Sequence, residues 1–226
     1  MTMQKPSWNR RQILSAGAGL VAGGWASARD DRPATKDLDP KGAVEELLAG
    51  NRRFAEGKAI GPHRDAARLR EVVPNQKPFA AFLGCADSRV PIEIVFDQGF
   101  GDLFVTRVAG NVATPECIGS LEFGTHILGA KVLYVLGHTS CGAVAAAMKG
   151  DLVPGQISAL FAHLVPAVRS AKGDAAVAVR DNVRLQANLI ADASPVVARL
   201  IRQGKLVVAG GVYDLATGRV EPVDLD

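Results

Sequence analysis

The sequence predicts an α/β fold: a mostly parallel central β-sheet flanked by helices, with one N-terminal helix set before the sheet. Three observations carry this. Four short runs rich in Val, Leu and Phe, at 79–83, 103–108, 132–136 and 206–212, lack helical periodicity and suit strands buried on both faces. Segments of helical character separate the runs, which is the alternation a parallel sheet needs. Gly or polar residues follow the first three runs, so each ends in a turn at one edge of the sheet.

The elements follow in order. In 40–57, Val44, Leu47, Leu48 and Phe54 recur at helical spacing, Pro40 suits a first turn and Gly57 a stop. Because this helix precedes the sheet, it is expected to pack on a neighbour or on a partner subunit. A polar stretch without a predicted element runs to Asn75. After the first strand a short helix is expected at 91–97, and after the second a longer one at 114–128. Cys141 is placed to open the helix that follows the third strand. A long helical region covers 158–203, and the turn Asp214-Leu-Ala-Thr-Gly218 leads into a short edge strand at 219–223.

Ligands of open parallel sheets gather beyond the carboxyl ends of the strands. Cys85 and Asp87 stand just past the first strand, Asn111 past the second and His138 past the third, so residues about fifty positions apart converge. Two thiolates and an imidazole from Cys85, His138 and Cys141 make three protein ligands. That number suits a zinc ion whose fourth position stays open. The competing readings are two buried small hydrophobes or a Cys85–Cys141 disulfide in an oxidising compartment. Cys117, inside a helical run, reads as packing. Asp87 and Arg89, two apart in CADSR, leave a turn on one side, where a guanidinium keeps a carboxylate ionised and oriented.

Composition narrows the function classes. The formal charge of +3 arises from Lys5, Arg10 and Arg11, since the rest of the chain balances 23 basic against 23 acidic residues. Aromatic residues make up only 5% of the chain, so neither charge nor stacking surface points to a nucleic acid. Residues 1–28 have the parts of an export signal: Arg10-Arg11, a weakly apolar stretch at 13–25, and Ala26-Ser27-Ala28 before a cleavage point. The Arg pair before a Gly/Ala-rich stretch is similar to the twin-arginine type. The stretch is too short and Gly-rich for a stable membrane anchor. The expected organisation is therefore signal peptide 1–28, linker 29–39 and one domain at 40–226. The expected location is periplasmic or secreted, or cytoplasmic if the signal is not functional.

CADSRVP, FVTRVAGN and GHTSCGA, each after an apolar strand, resemble the β-class carbonic anhydrases from about residue 40 to the C-terminus. The resemblance implies reversible hydration of carbon dioxide to bicarbonate and a proton, with one Zn²⁺ per subunit. It implies zinc ligands Cys85, His138 and Cys141, and a catalytic dyad Asp87–Arg89 that orients zinc-bound hydroxide. It further implies substrate contacts from Gln76, the Gly142 N–H, Phe104 and Phe123. An N-terminal helix wraps a partner in that family, so a homodimer or higher even oligomer is implied. Some members bind bicarbonate at a regulatory site through Trp, Arg and Tyr. Arg107 and Tyr213 match that set, but Phe82 stands where the Trp would be, so this regulation is expected to be lost or weakened. His63, His126 and His163 are the histidines left to carry protons. The rival activities are carbonyl sulfide or carbon disulfide hydrolysis on the same fold, or zinc binding without turnover.

Overall fold

The computed structural model describes residues 38–226. The signal and most of the linker expected from the sequence lie outside the described residues. A five-stranded sheet forms the centre, in the order β2-β1-β3-β4-β5. Its strands are β1 (Ala80–Gly84), β2 (Leu103–Arg107), β3 (Val132–His138), β4 (Val207–Tyr213) and β5 (Val220–Pro222). The first four are mutually parallel and β5 turns back antiparallel on β4. Pairing of Ala80 with both Leu103 and Val132 puts the carboxyl ends of β1, β2 and β3 level.

Alternation along these strands builds two cores. Ala80, Phe82, Val132, Tyr134 and Leu136 face one side, where α1 (Pro40–Ala55) and α3 (Ile92–Val95) cover them. Phe82, Phe96 and Tyr134 meet there with ring centroids 5.0–5.6 Å apart, within the range of favourable aromatic pairs. Ala81, Leu83, Leu133 and Val135 face the other side. That side is covered by α4 (Pro115–Glu122), α7 (Ala175–Ala193) and α8 (Pro195–Arg202), with α5 (Gly142–Lys149) and α6 (Ile157–Ser170) beyond them.

The apolar stripe of α1 is covered in part within the chain, with Val44, Leu48 and Phe54 only half-buried. Ala43 and Leu47 are fully buried among Phe79, Phe82 and Val95. The approach is close enough that Gly50 touches the main chain of α3: a Cβ there would lie 1.9 Å from the Phe96 carbonyl oxygen. Asn51 locks the same junction, donating to the Val95 and Gly218 carbonyls and accepting from the Val220 N–H.

Helix α2 (Ala66–Val72) has no counterpart in the sequence reading, which leaves 58–75 as polar chain. It buries none of its residues, so it has no apolar period to detect, and the Asp65 side chain caps it by accepting from Arg68 N. The long helical region resolves into three helices. Gly173, at φ 94°, separates α6 from α7, and Ser194 caps α8 with Pro195 in its first turn. The 114–128 helix ends in a π-turn at Phe123–Ile127.

Candidate metal centre

The centre assembles at the carboxyl edge of β1 and β3. Cys85 follows β1, His138 ends β3, and Cys141 is the residue immediately before α5. The Sγ atoms of the cysteines and a ring nitrogen of His138 all lie within 4.8 Å of one another, and all three residues are buried. No cysteine is in a disulfide, so the disulfide alternative falls. Cys117 packs against the core beneath α4, as expected of a packing residue.

The donor set fits a metal ion. His138 Nδ1 donates to the Thr139 carbonyl at 2.9 Å, which turns Nε2 toward the cysteines, and Nε2 is buried with no partner. An orphaned buried nitrogen beside two thiols is a cost to the fold that a cation removes. The electrostatics agree. Cys85 is held down to about 4, first by the hydrogen bond from Cys141, then by His138 and the Gly110 N–H, against the opposing effect of burial. Cys141 is pushed up by the same bond and by burial, while N–H groups of Val144 and Ala143 at the start of α5 pull it down. Cys85 is the thiol favoured as thiolate, and a cation bound here displaces the proton of Cys141. For His138, burial disfavours the charged ring, but the adjacent Cys85 outweighs it and the net direction is upward.

Asp87 and Arg89 form a fork-on-fork pair beside these ligands. Arg89 Nε lies 3.0 Å from Oδ1 and Nη2 2.8 Å from Oδ2, and Arg89 N also donates to Oδ1 at 2.9 Å. These bonds hold the carboxyl well below the usual carboxylate range, with burial opposing. Oδ2 stands 3.9 Å from His138 Nε2, so the carboxylate faces the centre while both of its oxygens are engaged by Arg89. Arg89 Nη2 also reaches the Ser140 carbonyl at 3.3 Å, tying the β1 turn to the β3 turn. Ser140 has φ 55°, a costly value for a non-glycine residue, in the tight turn between two ligands.

Further residues brace the site without being metal donors. Arg107 donates to the Cys85 and Asp87 carbonyls at 2.9 and 2.6 Å. Its guanidinium is thus committed to the metal-bearing turn, and Phe82, fully buried between Phe96 and Tyr134, offers no polar group where the regulatory indole would stand. Gly110, at φ 76°, donates its N–H to Cys85 Sγ at 3.4 Å, and Asn182 holds the Gly110 carbonyl at 2.9 Å. Gln186 supports Asn182 and accepts from Ala113 N. The sequence reading passes over Gly110, Asn182 and Gln186. The available signal was an Asn and a Gln four residues apart on the buried face of α7.

The expected substrate contacts are divided. Gly142 opens α5 next to Cys141, with open space around its Cα. Gln76, Phe104 and Phe123 lie away from the metal centre of their own chain. Phe104 pairs with Ala81, four residues before Cys85, or about 13 Å along the strand. Phe123 stacks on Phe104 at 6.2 Å, and Gln76 is exposed before the amino end of β1. The physical reason is that a parallel strand separates its two ends by its full length. His63 is engaged by Asp102 before β2, and His126 is exposed on the π-turn, so neither stands at the metal edge.

A parallel α/β sheet with a buried Cys₂His set at its carboxyl edge defines a zinc metalloprotein of the open-site class. Comparison with known proteins agrees. Residues 80–220 match the carbonic anhydrase family. The chain is 35% identical over 191 residues to carbonic anhydrase 2 of Mycobacterium tuberculosis, covering 81% of this chain and 92% of that one. It is 34% identical over 171 residues to a carbonic anhydrase of Pseudomonas aeruginosa, covering 69% and 78%. Among solved structures it is similar to a Coccomyxa β-carbonic anhydrase bound to acetazolamide (TM-score 0.60, 28% identity, 79% and 85% coverage). It is also similar to a β-carbonic anhydrase of Aspergillus fumigatus (TM-score 0.63, 26% identity, 81% and 91% coverage). The chain belongs to the carbonic anhydrase family, in its β class.

Proposed function

We propose that this chain catalyses the reversible hydration of carbon dioxide to bicarbonate and a proton, with Cys85, His138 and Cys141 as zinc ligands. The observation that carries the reading is the Asp87 carboxylate, locked by Arg89 and aimed at the Cys₂His set. Zinc held there supplies the Lewis acidity that brings water to a nucleophilic state near neutral pH. Asp87, ionised and able only to accept, takes a hydrogen bond from the attacking oxygen and so turns a lone pair toward the carbon. Arg89 engages both Asp87 oxygens, which holds the carboxylate in this orienting role. The Gly142 N–H, free at the start of α5, is placed to donate to a product oxygen.

The test is stopped-flow carbon dioxide hydration with zinc quantified on the same sample. Stoichiometric zinc with fast hydration is the expected result. Zinc-loaded protein that leaves carbon dioxide unhydrated yet turns over carbonyl sulfide or carbon disulfide would overturn the reading in favour of a hydrolase.

The working unit is a homodimer or higher even oligomer in this reading. What supports it is the exposure of Phe100, Phe123 and Ile127, together with the edge position of β2. Gln76, Phe104 and Phe123 then serve the metal centre of a second copy, since their own lies at the other end of β1. Residues 1–28 act as an export signal and 40–226 as one catalytic domain, on the strength of Arg10-Arg11 and Ala26-Ser27-Ala28. No helix among the described residues is long and apolar enough to cross a membrane. Sequencing the amino terminus of protein recovered from the periplasm tests this, with a start near Arg29 expected and an intact Met1 overturning it.

A further inference from the structure

At the opposite end of the sheet, before the amino ends of β3 and β4, lies a cavity of about 560 Å³ that the metal centre does not use. Lys131 directly precedes β3, and Lys205 is separated from β4 by Leu206. Their neighbourhood is fixed by the Val207 N–H donating to the Lys131 carbonyl. Arg199 and Gln203 come from the last turn of α8 and its cap, and His126 from the π-turn. The remaining lining is small or apolar: Thr125, Gly129, Ala130 and Leu200.

Charge sets this cavity apart. Lys131, Arg199 and Lys205 are permanent cations. No acidic side chain among the described residues lines the cavity, and none of the three has an ion pair with a described residue. The field of the α8 carboxyl end accounts for Arg199 and Lys205 near it, but not for Lys131 and His126, which come from other elements. Three cations lining one concavity make it electropositive and favour an anion there. The size and charge choose among anions. Bicarbonate, with one charge and four heavy atoms, would fill a small part of a volume within the ordinary range of metabolite pockets and would leave two cations uncompensated. A phosphate group brings about two charges and three strong acceptor oxygens, which suit a guanidinium fork with flanking ammonium groups.

We propose that this cavity binds a phosphate-bearing small molecule carrying two or more negative charges, with Lys131, Arg199 and Lys205 as its charged contacts and Gln203 and His126 as further donors. The site lies about 20 Å from the metal centre, the length of β3 between Val132 and His138. It is joined to the rest of the molecule through the π-turn, which carries both His126 and Phe123.

Inorganic pyrophosphate is the probe, titrated calorimetrically into the full, zinc-loaded protein. Saturable one-to-one binding is expected, weakened at least tenfold in Lys131→Gln/Lys205→Gln, with carbon dioxide hydration unchanged in that variant. Arg199→Gln is the second variant, expected to weaken binding in the same direction should the double substitution fold poorly. Absence of binding up to about 10 mM probe, weaker than any class of specific metabolite site, would overturn the proposal. So would an affinity that both variants leave within twofold of the parent, or binding that disappears on zinc removal, since the anion would then sit at the metal centre.

Discussion

Asp87 shows how firmly one side chain can be positioned by its neighbour. Arg89 satisfies both carboxylate oxygens, so the charge is permanent at any working pH and the geometry is stiff. Asp87→Asn keeps the shape but loses the acceptor-only character. It is expected to retain stoichiometric zinc and lose on the order of 10²-fold in hydration rate, as removal of an oriented hydrogen-bond partner does. Stopped-flow rates beside elemental analysis check this, and a parent-like rate would remove Asp87 from the mechanism. Cys141→Ala is expected to drop zinc well below one ion per chain, because it removes one of three ligands and leaves Cys85 and His138 with a vacancy between them. These residues were legible in the sequence because thiol, imidazole and carboxylate placed at strand ends have few other uses. Gly110 and Asn182 were not, because a glycine at positive φ and a buried amide announce their role only through their partners.

At the level of elements, the close contacts are between main chains. Helix α1 meets α3 through Gly50, where any side chain strikes the Phe96 carbonyl. Gly50→Ala is expected to destabilise the fold by about 1–3 kcal/mol through forced separation of the two helices. A lower urea midpoint with an unchanged slope would show it. A second prediction concerns acid. Asp214 caps the turn between β4 and β5. It is held below its ordinary value of 3.8, first by the Ala216 N–H and then by the Thr217 hydroxyl. A carboxylate depressed in the folded state contributes stability that is complete above the unfolded value and lost as pH falls through the folded one. Asp214→Ala should therefore lower the urea midpoint more at roughly pH 6 than at roughly pH 2.5, where the parent has lost much of the same contribution. An equal loss at both would deny Asp214 that role. The strands and most helices could be read from their periodicity, whereas α2 was invisible because a helix that buries nothing leaves no pattern.

For the whole molecule, the sheet separates two chemistries by the length of its strands: thiols, imidazole and the dyad at one edge, cations at the other. The same separation keeps Gln76, Phe104 and Phe123 from their own metal centre. Ile127→Glu, on the exposed π-turn, is therefore expected to shift the protein toward monomer and to lower hydration at unchanged zinc content. Sedimentation velocity and stopped flow on one preparation check both parts, and a fully active monomer would show that one chain suffices.

The sequence by itself determined the sheet and placed Cys85, His138, Cys141, Asp87 and Arg89 at the ends of its strands. Local pattern and residue type carry that information. Only the tertiary structure decided that Ala43, Leu47 and Gly50 of α1 are covered by their own chain and that both Asp87 oxygens are held by Arg89. It alone put Gln76, Phe104 and Phe123 far from the metal centre of their own chain and gathered Lys131, Arg199 and Lys205 around one cavity. Each of these depends on distances between residues remote in sequence, and such distances are set by how helices pack on the sheet.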